Sequence, residues 1–116
     1  GDGRDWMAPG FRAVADDDEV LDRLQSFDES IRKVALQSLA LQGERAAAYA
    51  PEVAALLQDD HAEVRRAASV ALGKIGLSAA LHARNLAAAL RDEEPAVRAE
   101  AARAFLGLGV EATAAR

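Results

Sequence analysis

The sequence predicts an all-α fold in which helix-turn-helix units stack into a solenoid. The first observation is a period of 33 residues, which is typical of stacked repeats because one such unit cannot bury its own apolar face. The second is composition, since alanine, the best helix former, fills 29 of the 116 positions and threonine only one. Four series keep the period: Leu24, Leu57 and Leu90; Arg32, Arg65 and Arg98; Ala35, Ala68 and Ala101; Gly43, Gly76 and Gly109.

The helices of each unit are clearest in the middle one, residues 57–89. Ala62–Ile75 carries an apolar stripe at helical spacing, and Gly76 follows it as a residue that adopts positive φ cheaply and so ends a helix. A second helix is predicted over Ala79–Arg91, with Ser78 as its cap. The larger apolar side chains of this second helix are Leu81, Leu86 and Leu90.

The neighbouring units repeat this order. A first helix is predicted over Glu29–Gln42, and Pro95 stands where the first turn of the next one tolerates proline. Pro51 lies inside the second helix of its unit, so that helix is expected to kink or to start late. The core-facing stripe predicted for Glu29–Gln42 is Ile31, Val34, Ala35, Ser38, Leu39 and Gln42.

The period also divides the chain. Residues 1–23 form an N-terminal segment with a partial repeat that corresponds to a second helix, and the repeats follow as 24–56, 57–89 and a truncated 90–116. Val110–Arg116 amounts to half of a second helix, without the polar cap of a self-standing solenoid. We therefore expect an excerpt of a longer array, or a small subunit whose open end stacks on a partner. The bulky cluster of Trp6, Met7 and Phe11 is expected to cap the first repeat, with an exposed anchor for a partner as the alternative.

The charge balance narrows the class of partner. The net charge of −5 and a pI near 5.0 disfavour nucleic acid, which a basic stripe normally binds. The absence of cysteine excludes disulfides, thiolate metal sites and a Cys nucleophile. The uncharged stretches are too short to span a bilayer, so no membrane insertion is expected.

The strings DDHAEVRRAASVALGKIG and DEEPAVRAEAARAFLGLG resemble HEAT repeats of the short subtype that also occurs in bilin lyases. The resemblance implies a right-handed superhelix of the HEAT/armadillo kind with about three repeats. It also implies that the second helices line a concave binding face. The compartment expected for such a protein is the cytoplasm or the plastid stroma. The resemblance further implies a ladder between repeats in which an Asp of the turn bonds to an Arg early in the first helix. Asp59 with Arg65 and Asp92 with Arg98 keep the six-residue step of that ladder, whereas Ser26 stands opposite Arg32.

No residues form a recognisable catalytic, cofactor or metal constellation. His61 and Glu63 lie across a turn-to-helix junction that does not aim both at one ion, and we interpret the acidic run before Val20 as a solvated helix start. Protein recognition is predicted on the second helices, because interfaces favour Tyr and Arg. The candidate residues are Tyr49, Glu52, His82, Arg84 and Asn85. As the alternative, Tyr49 and His82 wedge between helices.

These observations predict a non-catalytic scaffold or accessory subunit, which binds through its concave second-helix face or its open C-terminal edge. The expected partner is another protein or further repeats of the same chain. A bilin lyase, or a subunit of one, is the enzymatic alternative that the resemblance implies. A HEAT-like DNA glycosylase needs a cationic groove, and the acidic balance speaks against it.

Overall fold

The structure, a computed structural model, describes the backbone of residues 17–114 and their side chains except at positions 77, 78 and 109–114. Expectations that concern Trp6, Met7, Phe11 and Ser78 lie outside this description. Every regular element within residues 17–114 is helical. The α-helices are α1 (Asp17–Leu24), α2 (Glu29–Gln42), α3 (Ala50–Ala55), α4 (Ala62–Ile75), α5 (Ala83–Ala89) and α6 (Pro95–Ala114), and 3-10 helices span Gly43–Tyr49, Leu56–Gln58 and Gly76–His82.

The helices pack in two layers, as the repeat predicts. The first helices α2, α4 and α6 lie side by side in one layer, with α4 in the middle. The other layer contains α1, α3 and α5 with the 3-10 helices between them; α1 contacts α3, and the 3-10 helix Leu56–Gln58 contacts α5. The bounds predicted for Glu29–Gln42 and Ala62–Ile75 are confirmed.

The core lies between the two layers and consists mainly of leucine, valine and alanine. α4 supplies its centre, where Val64, Leu72 and Ile75 are almost fully removed from solvent. Small side chains let the first helices approach closely: a Cβ at Gly73 would come within 3.2 Å of the Ala104 Cβ on α6. Burial of this apolar surface provides the main stabilisation of the stack.

Two glycines end the first helices. Gly43 has φ +59° and Gly76 φ +82°, in a backbone region that residues with a Cβ rarely adopt. Each reverses the chain so that the following 3-10 helix returns along the first helix. The turns at Gly43 and Gly76 therefore require glycine, which explains why glycine recurs at these two positions of the repeat.

The second helices begin differently from the prediction. Residues 76–82 form a 3-10 helix, and α5 starts only at Ala83, whereas an α-helix was expected from Ala79. The tighter 3-10 geometry rotates the side chains relative to an α-helix, so Leu81 is 90% exposed and Ala79 is buried in its place. Pro51 sits in the first turn of α3, which confirms the late start.

The stripe predicted for α2 is partly wrong. Ala35 and Leu39 are buried as expected, but Ile31 is 43% and Val34 is 58% exposed, and Ser38 and Gln42 also face solvent. Leu36, which was not in the stripe, is fully buried. The reason is the position of α2 in the stack. Helix α4 has a first helix on each side, whereas among the described residues α2 has a neighbouring first helix, α4, on one side only.

Gly109 does not end a helix, in contrast to Gly43 and Gly76. Helix α6 continues through it to Ala114, so residues 110–114 extend the first helix and do not begin a second one. After Gly43 and Gly76, the returning chain is held by Val53 and Leu86, each ten residues beyond its glycine and fully buried. Glycine is compatible with a helix at a modest cost in free energy, so a glycine by itself does not end α6.

Candidate functional site

A ladder of arginine–aspartate pairs connects the repeats at one end of the helices. Arg32, early in α2, donates from Nε to Asp59 Oδ2 (2.7 Å) and from Nη2 to Asp59 Oδ1 (3.1 Å). Its Nη1 donates to the carbonyl oxygen of Ser26 (2.6 Å). One guanidinium thus binds a carboxylate of the next repeat and the backbone of its own, in the two-pronged geometry that suits arginine.

Arg65, early in α4, repeats this arrangement one unit later. Nε and Nη2 donate to Asp92 Oδ2 and Oδ1 at 2.8 and 3.2 Å, and Nη1 donates to the Asp59 carbonyl at 2.8 Å. The side chains of Arg65 and Asp92 are 11% and 9% exposed, so the pair is mostly shielded from water. The pairs therefore tie consecutive repeats together.

The pairing differs from the six-residue step taken from the resemblance. Asp59 with Arg65 and Asp92 with Arg98 are joined by the backbone carbonyl of the aspartate, while each carboxylate binds the arginine 27 residues before it. The backbone carbonyl is present whatever the side chain, so Ser26 accepts from Arg32 in the same way as Asp59 accepts from Arg65. Ser26, which stands where the later repeats have an aspartate, therefore still provides the backbone contact of Arg32, and Asp59 provides the carboxylate, so the first pair is complete.

The same aspartates also shape the turns. Asp59 Oδ1 accepts the backbone N–H of His61 (2.9 Å), and Asp92 Oδ1 accepts that of Glu94 (3.0 Å). At the equivalent place Ser26 Oγ accepts the backbone N–H of Asp28 (3.1 Å). Ser26 therefore retains the turn contact but lacks the carboxylate that would receive an arginine of a preceding unit.

The surroundings of the ladder shift the pKa values of its members. Burial alone would raise the pKa of the Asp59 carboxyl, but hydrogen bonds from Arg32 and the His61 N–H, with the Arg32 charge, hold that pKa below its usual range. For Asp92, burial is outweighed in the same way by Arg65 and the Glu94 N–H, and its pKa is also lowered. The hydrogen bond to Asp92 raises the pKa of Arg65 against the effect of burial.

An open groove runs beside the second pair. It has a volume of about 370 Å³ and lies between the end of α4 that carries Arg65 and the second-helix layer. Asn85, one of the predicted binding residues, lines it together with Gln58 and Glu93. The polar atoms of the groove are amides and ion-paired groups, which suit hydrogen bonding to a polar ligand surface.

The five predicted binding residues do not form one cluster of free side chains. Tyr49 is half-buried against the core, and its hydroxyl donates to the carboxylate of Asp17 on α1. Tyr49 and His82 occupy equivalent positions immediately before α3 and α5. His82 is half-buried like Tyr49.

The remaining three lie on the helices themselves. Glu52 in α3 is half-buried, while Arg84 and Asn85 in α5 are exposed. Exposed neighbours complete a face that we call the second-helix surface: Asp18, Asp22, Pro51, Ala55, Arg84, Asn85, Ala88 and Arg91, with the half-buried Glu19 and Glu52.

The charge of the second-helix surface changes sign along the stack. Equivalent positions carry Asp18 in α1, Pro51 in α3 and Arg84 in α5. Asp22 adds negative charge at the α1 end, and Arg91 adds positive charge at the α5 end. The change of charge is visible when the sequence is aligned at the 33-residue step. That the helices share one surface, however, is shown only by the contact between α1 and α3 in the structure.

Within residues 17–114, no group of three or more His, Asp or Glu side chains is arranged to hold a metal ion. His61 instead lies next to the first ladder pair, with its Nδ1 3.6 Å from Asp59 Oδ1. No helix in this part of the chain is both long and apolar enough to cross a membrane.

Two layers of helices in successive hairpins define an α-solenoid protein. The family model of HEAT repeats matches residues 18–105, and the chain belongs to that family. HEAT repeats commonly mediate protein–protein interactions. No curated protein is significantly similar to the chain.

Proposed function

We propose that the chain is a non-catalytic interaction module, a scaffold or accessory subunit, that binds another protein through its second-helix surface. The observation that carries the proposal is the change of charge along this surface, from Asp18 and Asp22 on α1 to Arg84 and Arg91 at α5. Complementary charges mainly provide specificity and fast association. A surface with opposite charges at its two ends binds an elongated partner in one direction only.

The chemistry of the partner follows from this polarity. Its basic end contacts α1, and its acidic end contacts α5. Between them α3 offers Pro51 and Ala55, which are exposed and uncharged, with the half-buried Glu52 beside them, so the middle of the partner segment is small and mostly apolar. Asn85 and the groove beside Arg65 add hydrogen-bonding groups close to the acidic end of the partner.

A comparison of baits tests the proposal. Wild type, the double variant Arg84→Glu/Arg91→Glu and the control Arg103→Glu are each used to retain proteins from an extract of the cells that make the chain. Arg103 is exposed on α6 in the other layer, so its reversal changes the net charge without changing the second-helix surface. Quantitative mass spectrometry then compares what each bait retains.

The expected result is a set of proteins retained by wild type and by Arg103→Glu and lost with the double variant. Equal retention by all three baits, or equal loss from both charge variants, contradicts binding at this surface. The lyase alternative has a separate test, because a bound bilin would shift its visible absorption band on mixing with the protein.

A further inference from the structure

A second groove lies between α4 and α6. It has a volume of about 380 Å³, and Ser69, Gly73 and Lys74 of α4 line it opposite Glu100 and Arg103 of α6. Gly73, Lys74 and Arg103 are exposed, so the groove opens to solvent. Both of its walls are first helices, which places it in the other layer from the second-helix surface. We call it the first-helix groove.

The small residues of the first-helix groove depart from the repeat. One step of 33 residues earlier, between α2 and α4, Leu36 stands in place of Ser69 and Ala40 in place of Gly73. Leu36 is fully buried there. Because serine and glycine are smaller than leucine and alanine, α4 and α6 leave open a space that side chains occupy between α2 and α4.

The charged residues of the groove are departures as well. Lys74 takes the place of Leu41 on the preceding first helix. On α6, Glu100 and Arg103 take the places that Ala67 and Val70 have on α4. The repeat therefore changes from apolar to charged residues at the same positions where it opens the groove.

Positive charge exceeds negative charge around the first-helix groove. The Glu100 side chain is 17% exposed and is shared by two arginines: Arg103 Nη1 donates to its Oε1 at 3.3 Å, and Arg66 Nε lies 3.9 Å from its Oε2. One carboxylate does not neutralise both guanidiniums. Within the described part of the chain, Lys74 forms no ion pair. The groove thus attracts anionic groups, although the chain as a whole carries a net charge of −5.

The positive charges lie at two separate places. Arg66 and Lys74 are eight residues apart on α4, which corresponds to about 12 Å along the helix. Between them the lining is small and apolar, with Val70, Gly73 and Ala104. An extended peptide rises about 3.3 Å per residue and places alternate side chains on one face, so its residues i and i+4 are about 13 Å apart on that face. A compact anion such as phosphate cannot reach both places.

We propose that the first-helix groove binds an extended acidic segment of a partner protein, in which two Asp or Glu residues four positions apart flank small residues. One carboxylate pairs with Arg66 and Arg103, and the other pairs with Lys74. The small residues between them lie over Gly73, where the missing side chain lets a peptide backbone approach. The proposal rests on the proposed function in so far as the chain is an interaction module, and it adds a second surface with the chemistry of its ligand.

A titration with synthetic peptides tests the proposal. The probe is acetyl-Asp-Ala-Gly-Ala-Asp-amide, and the control acetyl-Ala-Asp-Asp-Gly-Ala-amide has the same composition and charge with adjacent aspartates. NMR chemical shifts of the isotope-labelled protein should show saturable changes at the amides of Ser69, Val70, Gly73 and Ala104. The control peptide and inorganic phosphate should each bind about threefold more weakly than the probe, because they reach only one of the two places.

The double variant Lys74→Leu/Arg103→Val removes two of the groove cations. It introduces Leu41 and Val70, the residues that α2 and α4 carry at the equivalent positions, so the helices should remain intact. Circular dichroism checks that they do. The affinity for the probe should fall about tenfold, since two charge pairs are lost.

The matched control is Lys33→Gln/Arg45→Gln, which removes the same charge from residues outside the groove and should leave the affinity for the probe unchanged. The proposal is overturned if no shift saturates, or if the shifts fall on α5 around Arg84. It is also overturned if the control peptide or phosphate binds as tightly as the probe, or if the double variant of the groove binds like the wild type.

This titration fails separately from the test of the proposed function. It requires no natural partner and leaves Arg84 and Arg91 intact, so a negative result does not affect the bait comparison on the second-helix surface. A negative bait comparison likewise leaves the titration unaffected. The bait Arg103→Glu alters the first-helix groove, so a protein lost with that bait alone is assigned to this groove and not to the second-helix surface.

Discussion

Arg65→Ala is the substitution that best measures how strongly the ladder joins the repeats. It removes two hydrogen bonds to the Asp92 carboxylate and one to the Asp59 carbonyl. The carboxylate is only 9% exposed and would keep a single donor, the Glu94 N–H. Breaking a buried pair from one side costs about 3–5 kcal/mol. Because Arg65 lies at the rim of the core, we expect its removal to lower the free energy of unfolding by about 3 kcal/mol.

The matched control is Arg98→Ala. Arg98 has the same residue type and the same place in its repeat, but only the Asp92 carbonyl as a partner among the described residues. Its removal should cost about 0.5–1 kcal/mol, the value of one exposed hydrogen bond. Urea unfolding followed by circular dichroism at neutral pH gives both free energies by linear extrapolation. Thermal melts should show a fall in Tm of about 4–8 °C for each kcal/mol lost.

The expected order is a large loss for Arg65→Ala and a small one for Arg98→Ala, with a difference of about 2 kcal/mol. Equal losses within about 0.5 kcal/mol would mean that the carboxylate bonds contribute nothing beyond the carbonyl contact that both arginines share. The premise that the ladder joins the repeats energetically would then be refuted.

Two further predictions concern acid stability and the glycine turns. Because the pKa values of Asp59 and Asp92 are lowered by folding, their contribution is fully present above the ordinary aspartate pKa of about 3.9 and is lost as the pH falls below it. Urea unfolding between pH 7 and pH 2 should show this fall in the wild type and a shallower one in Asp59→Asn/Asp92→Asn; parallel curves would contradict it. Gly76→Ala should destabilise by about 1–3 kcal/mol, because its φ of +82° strains any residue with a Cβ. Gly107→Ala should instead stabilise α6 by about 0.5–1 kcal/mol, because a new Cβ there meets nothing within 4 Å. A lower free energy of unfolding for Gly107→Ala would contradict this prediction.

Much of the fold follows from the period of the sequence. The bounds of α2 and α4 and the turns at Gly43 and Gly76 were predicted from the repeat, and the late start of α3 was predicted from Pro51, which the repeat does not share. Local signals determine these features, because an apolar stripe and a flanking glycine act within one helix and its ends. The family assignment rests on the same pattern and is confirmed by the match over residues 18–105.

The candidate site was predicted less completely. Arg84 and Asn85 were correctly placed on a second helix, and both are exposed. Tyr49, however, turned out to bond to Asp17, a contact across 32 residues that no local pattern specifies. The change of charge between α1 and α5 becomes a surface property only when the helices are placed side by side.

By itself the sequence determined an all-α chain of recurring helical hairpins with arginine at a fixed place in each. Only the tertiary structure decided which groups those arginines bind. Arg32 reaches Asp59 and Arg65 reaches Asp92 because stacking brings each arginine beside the turn of the following repeat. The physical reason is that the repeat governs conformation within a unit, whereas burial and ion pairing depend on which unit lies next to it. For the same reason Ile31 is exposed while its equivalent Val64 is buried.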